Sequence, residues 1–153
     1  MSTLDLVLNY HPLKAEVFPD EYRNLPAISI HQPWADSVIY GGKDIENRSR
    51  RWNYRGLILI HASKGMDEVK DFDGWTNLTT IRKIPTPWAT GKNLWQLQRA
   101  GIIGIAELTD CVGSSKSPWF TGPWGLVLKW AKPLPFTPCR GALGLFYPLK
   151  LAA

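Results

Sequence analysis

The sequence predicts an α+β protein: a small mixed β-barrel of five or six strands flanked by two or three short helices. Three observations carry this. Short apolar stretches recur between glycine- and proline-rich turns, the pattern of a small barrel. The run Leu57-Ile58-Leu59-Ile60-His61-Ala62-Ser63 is apolar on both faces, as a buried central strand must be. Apolar residues at helical spacing are confined to a few brief segments, chiefly Pro33–Tyr40. With 153 residues, 44% of them apolar, the chain can build one domain with a substantial core.

Residues 1–24 lack a clean period and read as an arm, partly disordered or laid over a barrel end. The compact domain, 25–153, begins near Leu25-Pro26. Ala27–Ile30 is a short strand. Pro33 suits a first helical turn, where its missing N–H costs nothing. Ala35, Val38 and Ile39 make the apolar stripe of the helix, and Gly41-Gly42 ends it in left-handed geometry. Ile45–Arg51 is a strand with Glu46, Arg48 and Arg50 on one face and Ile45, Asn47 and Ser49 on the other.

A turn at Asn53–Gly56 feeds the apolar strand 57–63. Lys64–Thr90 is the least periodic part, with a short helix expected near Met66–Phe72. Asn93–Arg99 reads as helical, stopped by Gly101. Ile102–Val112 is a strand, placing Ile103, Ile105 and Glu107 on one face and Ile102, Gly104, Ala106 and Leu108 on the other. Gly113–Pro118 is a loop, Trp124–Ala131 a strand, and Pro133, Pro135 and Pro138 an extended connector. Leu143–Leu149 is expected to close the sheet.

Composition narrows the partner. The net charge is +5 and its sign is unevenly spread. From Gly74 to Ala153 nine cations face only Glu107 and Asp110, and Lys43–Arg55 holds five cations against Asp44 and Glu46. Such an excess points to an anionic partner, nucleic acid ahead of membrane, since no basic amphipathic helix is evident. Eight tryptophans beside these cations are what stacking on bases requires. No apolar run approaches the roughly 20 residues of a membrane helix. The first residues lack a basic leader, and Cys111 and Cys139 are compatible with free thiols, so a cytoplasmic protein is expected. Three histidines and two cysteines lie scattered without ligand spacing, so no metal and no cofactor are expected.

The segment Gly41-x-Lys43-x-x-Glu46-x-Arg48 matches G-x-K-x-x-E-x-R, and the chain resembles the ASCH domain family (activating signal cointegrator homology) there. Ser29–Ala35, Tyr54–Gly56, Ile60–Ala62, Trp119–Leu128 and Gly141–Phe146 are similar to the same family, extending the resemblance over about 25–149. The resemblance implies a PUA-like β-barrel with a helix beside a cleft, and nucleic acid or a nucleoside as partner. A bacterial branch of the family has amidohydrolase activity on N4-acetylcytidine, and a bacterial member has been described as a ribonuclease. The amidohydrolase branch carries a threonine at the position of Glu46, so that activity does not transfer intact.

Within this frame Lys43, Glu46 and Arg48 are the sharpest candidates. A lysine near Arg48 and partly desolvated is a base or nucleophile; a carboxylate at hand suits it to charge stabilisation instead. If the protein is an enzyme, Lys43 and Glu46 are its catalytic pair. The same three residues equally make a structural ion network. Arg48, Arg50, Trp52, Tyr54 and Arg55 interleave cations with rings, for phosphates and unpaired bases. Gln32 reads a base edge or caps the helix, and Trp34 stacks on a base or fills the core. His31 and His61 are acid-base partners or satisfied core residues. Ser117 and Trp119 stand in a loop that offers hydroxyls, a cation and rings.

The leading expectation is a nucleic-acid-binding module with a basic cleft around Lys43, Glu46 and Arg48. The rival readings are a hydrolase acting on RNA or an acylated nucleoside, and a domain that grips a protein. The sequence leaves the oligomeric state open. An ammonium of Lys43 sealed from water by its acidic neighbour, with indoles filling the gap, would defeat a cleft built around it.

Overall fold

The computed structural model describes residues 17–66 and 97–150. Five strands form one mixed sheet: β1 (Ala27–Gln32), β2 (Ile45–Arg48), β3 (Gly56–Met66), β4 (Gly101–Val112) and β5 (Trp124–Pro138). Among the described residues one α-helix, α1 (Trp34–Tyr40), joins β1 to β2, and one 3-10 turn, at Asp20–Tyr22, precedes β1. The sheet order is β1-β3-β4-β5-β2. β1 runs parallel to β3, and the other three neighbouring pairs are antiparallel. The helices expected near 66–72 and at 93–99 fall, wholly or in large part, outside the described residues.

Both faces of the central strands are buried, as the apolar run of β3 requires. On one face Ile28, Ile30, Ile58, Ile60, Leu108 and Leu126 pack with Ala35, Val38 and Ile39 of α1. On the other, Ala27, Leu59, Ile102 and Ile105 pack with Phe18, which is buried although it precedes the compact domain as delimited from sequence. Each such side chain contributes roughly 1.5–3 kcal/mol by leaving water. α1 sits close because Gly104 has no side chain: a Cβ there would fall 2.4 Å from Ile39 Cδ1.

β4 departs from simple alternation. Register shifts lie between Ile102 and Gly104, Ile105 and Glu107, and Leu108 and Asp110. The first two place their extra residues on β5. Against β3, however, Ile103 is an extra residue of β4, lying between Gly104, opposite Ile60, and Ile102, opposite His61, and it reverses which face the following side chains take. Ile103 therefore joins Ala106 and Leu108 on the helix side, while Ile105 joins Ile102 on the other. Across from the second shift Trp130 adopts φ 59°, left-handed backbone for a non-glycine residue, and is 58% exposed.

β5 is longer than expected, because Pro133, Pro135 and Pro138 continue it. β2 covers only its first residues, Trp124–Val127. Beyond them one side of β5 has no neighbouring strand among the described residues, and a missing N–H there breaks no ladder of theirs. The segment expected to close the sheet contributes one isolated bridge, Phe146 to Ala27. Among the described residues no backbone ladder joins β1 to β2, so the sheet is curled but open.

Candidate nucleic-acid interface

α1 and the loop after it set the geometry of the motif. Gln32, fully buried, caps the helix: its Oε1 accepts from the Asp36 N–H at 2.9 Å, and its Nε2 donates to Asp36 Oδ1 and to the Gln98 carbonyl. At the other end the Gly41 N–H donates to the Ser37 carbonyl, and Gly42, with φ 70°, makes the left-handed exit. The chain then turns inward. Lys43 Nζ donates to the Ile45 carbonyl and to Glu46 Oε2, the latter at 2.9 Å.

Lys43 is 6% exposed, and its ammonium lies 5.8 Å from the centroid of the buried Trp119 ring. Trp34 meets Trp119 edge to face at 6.3 Å. The lysine is thus held behind its carboxylate and covered by an indole, and it is absent from the cleft wall. A cleft built around Lys43 is replaced by one on the far side of Glu46.

That cleft occupies about 960 Å³ at the seam between the two sheet edges. β1 supplies Ser29, Ile30 and His31; β2 supplies Glu46, Asn47 and Arg48; Trp34 opens α1. His61, Ser63, Lys64 and Gly65 of β3 form a further wall, and residues 139–143, which follow β5, lie across it. Arg48 spans the seam, its Nη2 donating to the Ser29 carbonyl at 2.9 Å and standing 3.7 Å from Glu46 Oε1. Burial lowers its pKa from the usual value and Glu46 opposes that shift.

Ser29 and His61 are opposite partners in the parallel register of β1 and β3. Ser29 Oγ lies 2.8 Å from His61 Nδ1, and His61 Nε2 lies 2.9 Å from the Cys139 carbonyl. Burial lowers the His61 pKa, against a smaller opposing effect of the Cys139 carbonyl. Gly141 lies over both side chains: a Cβ there would be 2.8 Å from His61 Cε1 and 3.0 Å from Ser29 Oγ.

Of the residues singled out from sequence, His31, Trp34, Glu46, Arg48 and His61 meet at the cleft, His61 as a buried residue with both ring nitrogens partnered. Gln32, Lys43, Arg50, Trp52, Tyr54, Arg55, Ser117 and Trp119 do not line it. Arg50 is exposed just past β2. Trp52 lies 5.6 Å beneath the Arg48 guanidinium, Tyr54 Oη donates to the Leu57 carbonyl, and Arg55 donates to the Trp52 and Tyr54 carbonyls. Ser117 Oγ donates to Asp44 Oδ1, tying the loop to the motif. Asn47 holds the loop through both ends of its amide, donating to the Trp119 carbonyl and accepting from the Thr121 and Gly122 N–H groups. Ser29, Lys64 and Arg140 were not singled out; only the strand pairing and the path after β5 bring them here.

The sheet is thus curled and incomplete, with its helix against one face and a cleft at the seam. The ASCH domain profile matches residues 28–130, more than half of the chain, and the protein belongs to the ASCH domain family. ASCH domains are PUA-like domains of RNA-binding type. No curated protein matches the chain. No helix among the described residues is long and apolar enough to cross a membrane. No three His, Cys, Asp or Glu side chains among them gather as a metal site.

Proposed function

We propose that the protein is a nucleic-acid-binding module that takes an unpaired base or nucleotide into the seam cleft. The observation that carries this is Arg48 on the cleft wall with the Trp34 indole beside the same space. A cavity of about 960 Å³ lies within the usual range for small-molecule sites. An indole and a guanidinium are the pair that stacking and phosphate binding call for. Lys64 and Arg140, both exposed, add cations at the rim, and the net charge of +5 draws a polyanion in. Arg50, exposed beyond β2, extends the basic track for neighbouring phosphates.

Binding is favoured over catalysis by the placement of Lys43, which spends its donors on Glu46 and the Ile45 carbonyl rather than on the cleft. In this reading Lys43 and Glu46 brace the junction, and Glu46 alone faces the ligand. The test is titration of labelled single-stranded RNA, single-stranded DNA and duplex at two salt concentrations. Single strands bind at low salt and weaken as salt rises; absence of binding to all three at low salt overturns the proposal.

A further inference from the structure

We infer that the seam cleft selects a base whose edge is rich in N–H donors, guanine above the other three; this rests on the nucleotide-binding reading of the same site. The argument begins at a carbonyl. The Cys139 C=O can only accept, so the His61 Nε2 at 2.9 Å carries the proton and donates. Burial disfavours the charged ring, which leaves Nδ1 as an acceptor. The Ser29 hydroxyl, 2.8 Å from Nδ1, must then donate to it. Its hydrogen is committed, and Ser29 Oγ offers the cleft only lone pairs.

The neighbouring groups share this polarity. Glu46 is acceptor-only when ionised; Lys43 takes one lone pair of Oε2, and Arg48 stands 3.7 Å from Oε1, leaving further acceptor capacity on both oxygens. Ser63 directs its hydroxyl at the Gly65 carbonyl. Asn47 holds the 119–122 loop with its carbonyl oxygen and one of its two amide hydrogens, and the exposed His31 and Ser49 can switch role and discriminate nothing. The donor fixed in place on the wall is the Arg48 guanidinium, while Lys64 and Arg140 are exposed cations at the rim. Because the same guanidinium bridges Ser29 and Glu46, the acceptors and the donor lie within one side chain's span.

A wall of lone pairs beside one guanidinium is complementary to a ring presenting adjacent N–H donors next to a carbonyl. Guanine has this arrangement on its Watson–Crick edge: imino N1–H and the exocyclic amine, with O6 alongside. Adenine and cytosine pair their single amine with a bare ring nitrogen, and uracil flanks one N–H with two carbonyls. Each of these turns at least one acceptor of the ligand against an acceptor of the wall.

The experiment is calorimetric titration of the full chain with GMP, IMP, AMP, CMP and UMP at one low salt concentration. GMP should bind about 10-fold or more tightly than AMP or UMP, the size expected of one paired-hydrogen-bond readout. IMP, which lacks the exocyclic amine, should fall between. Ser29→Ala, a half-buried truncation whose folding is checked by thermal melting, should cut the GMP preference over AMP several-fold. Equal affinities, or a preference for UMP, overturn the inference while the binding reading survives. A Ser29→Ala protein that keeps the whole preference overturns it too. Binding of none of the five removes the underlying reading and the inference together.

Discussion

The guanidinium of Arg48, on one edge of the sheet, donates to the backbone carbonyl of Ser29, on the opposite edge, at 2.9 Å. No ladder hydrogen bond joins those edges among the described residues, so one side chain does there what backbone pairing does in a closed barrel. The gap left beside it is the cleft, and the same residue that holds the seam lines it.

Replacing Arg48 should therefore loosen the seam. Arg48→Ala loses a charge-assisted hydrogen bond and the contact with Trp52, and should cost about 2 kcal/mol in urea unfolding. Arg48→Lys keeps the charge without the planar fork and should recover less than half of that. Full stability in Arg48→Ala would contradict the bridging role.

Lys43 and Glu46 form a pair whose side chains are only 5% and 13% exposed. Removing one partner strands the other charge away from water, so Lys43→Ala should destabilise by about 3 kcal/mol. Lys43→Met combined with Glu46→Gln removes both charges and should regain much of the loss. The measurement is the urea midpoint of the two variants beside wild type.

A side chain at Gly104 would meet Ile39 Cδ1 at 2.4 Å and the Lys132 carbonyl at 2.6 Å. Gly104→Ala should cost about 2 kcal/mol by overpacking. Ile39→Val withdraws the nearer atom but not the backbone carbonyl, so the double variant should recover only part of the cost. A thermal-unfolding cycle over the four proteins reads that coupling.

Burial lowers the His61 pKa below its ordinary 6.5. Below pH 6.5 the unfolded chain takes up a proton that the folded ring resists, so the unfolded state binds more protons and stability falls with acidification. The loss begins as pH drops through 6.5 and continues down to the lowered folded value. His61→Gln should lack this component. Urea midpoints of both proteins from pH 7.5 to 5.5 check it, and parallel curves would refute the assignment.

The helix and its two flanking strands were legible because Pro33, the Ala35-Val38-Ile39 stripe and Gly41-Gly42 are local signals. β3 was legible because no exposed strand is apolar on both faces. The parity of β4 was not, since the extra residue at Ile103 shows only in its pairing with β3 and not in its own sequence. β5 ran on through its prolines because β2 ends early, a fact about a distant segment. At the site, G-x-K-x-x-E-x-R drew attention to Lys43, but spacing cannot tell an ammonium facing solvent from one turned onto the Ile45 carbonyl. The pairing of Ser29 with His61, 32 positions apart, depends on a parallel register that neither strand encodes alone.

The central claim is that the seam between β1 and β2 receives the nucleotide, and the indole N–H signals of the tryptophans report on it directly. In a nitrogen–proton correlation spectrum followed through titration with a short single-stranded RNA, Trp34, on the cleft wall, should shift progressively and saturate. Trp130, exposed on β5 and outside the cleft, should stay where it is. A titration that moves Trp130 while leaving Trp34 untouched would place the ligand elsewhere and contradict the account.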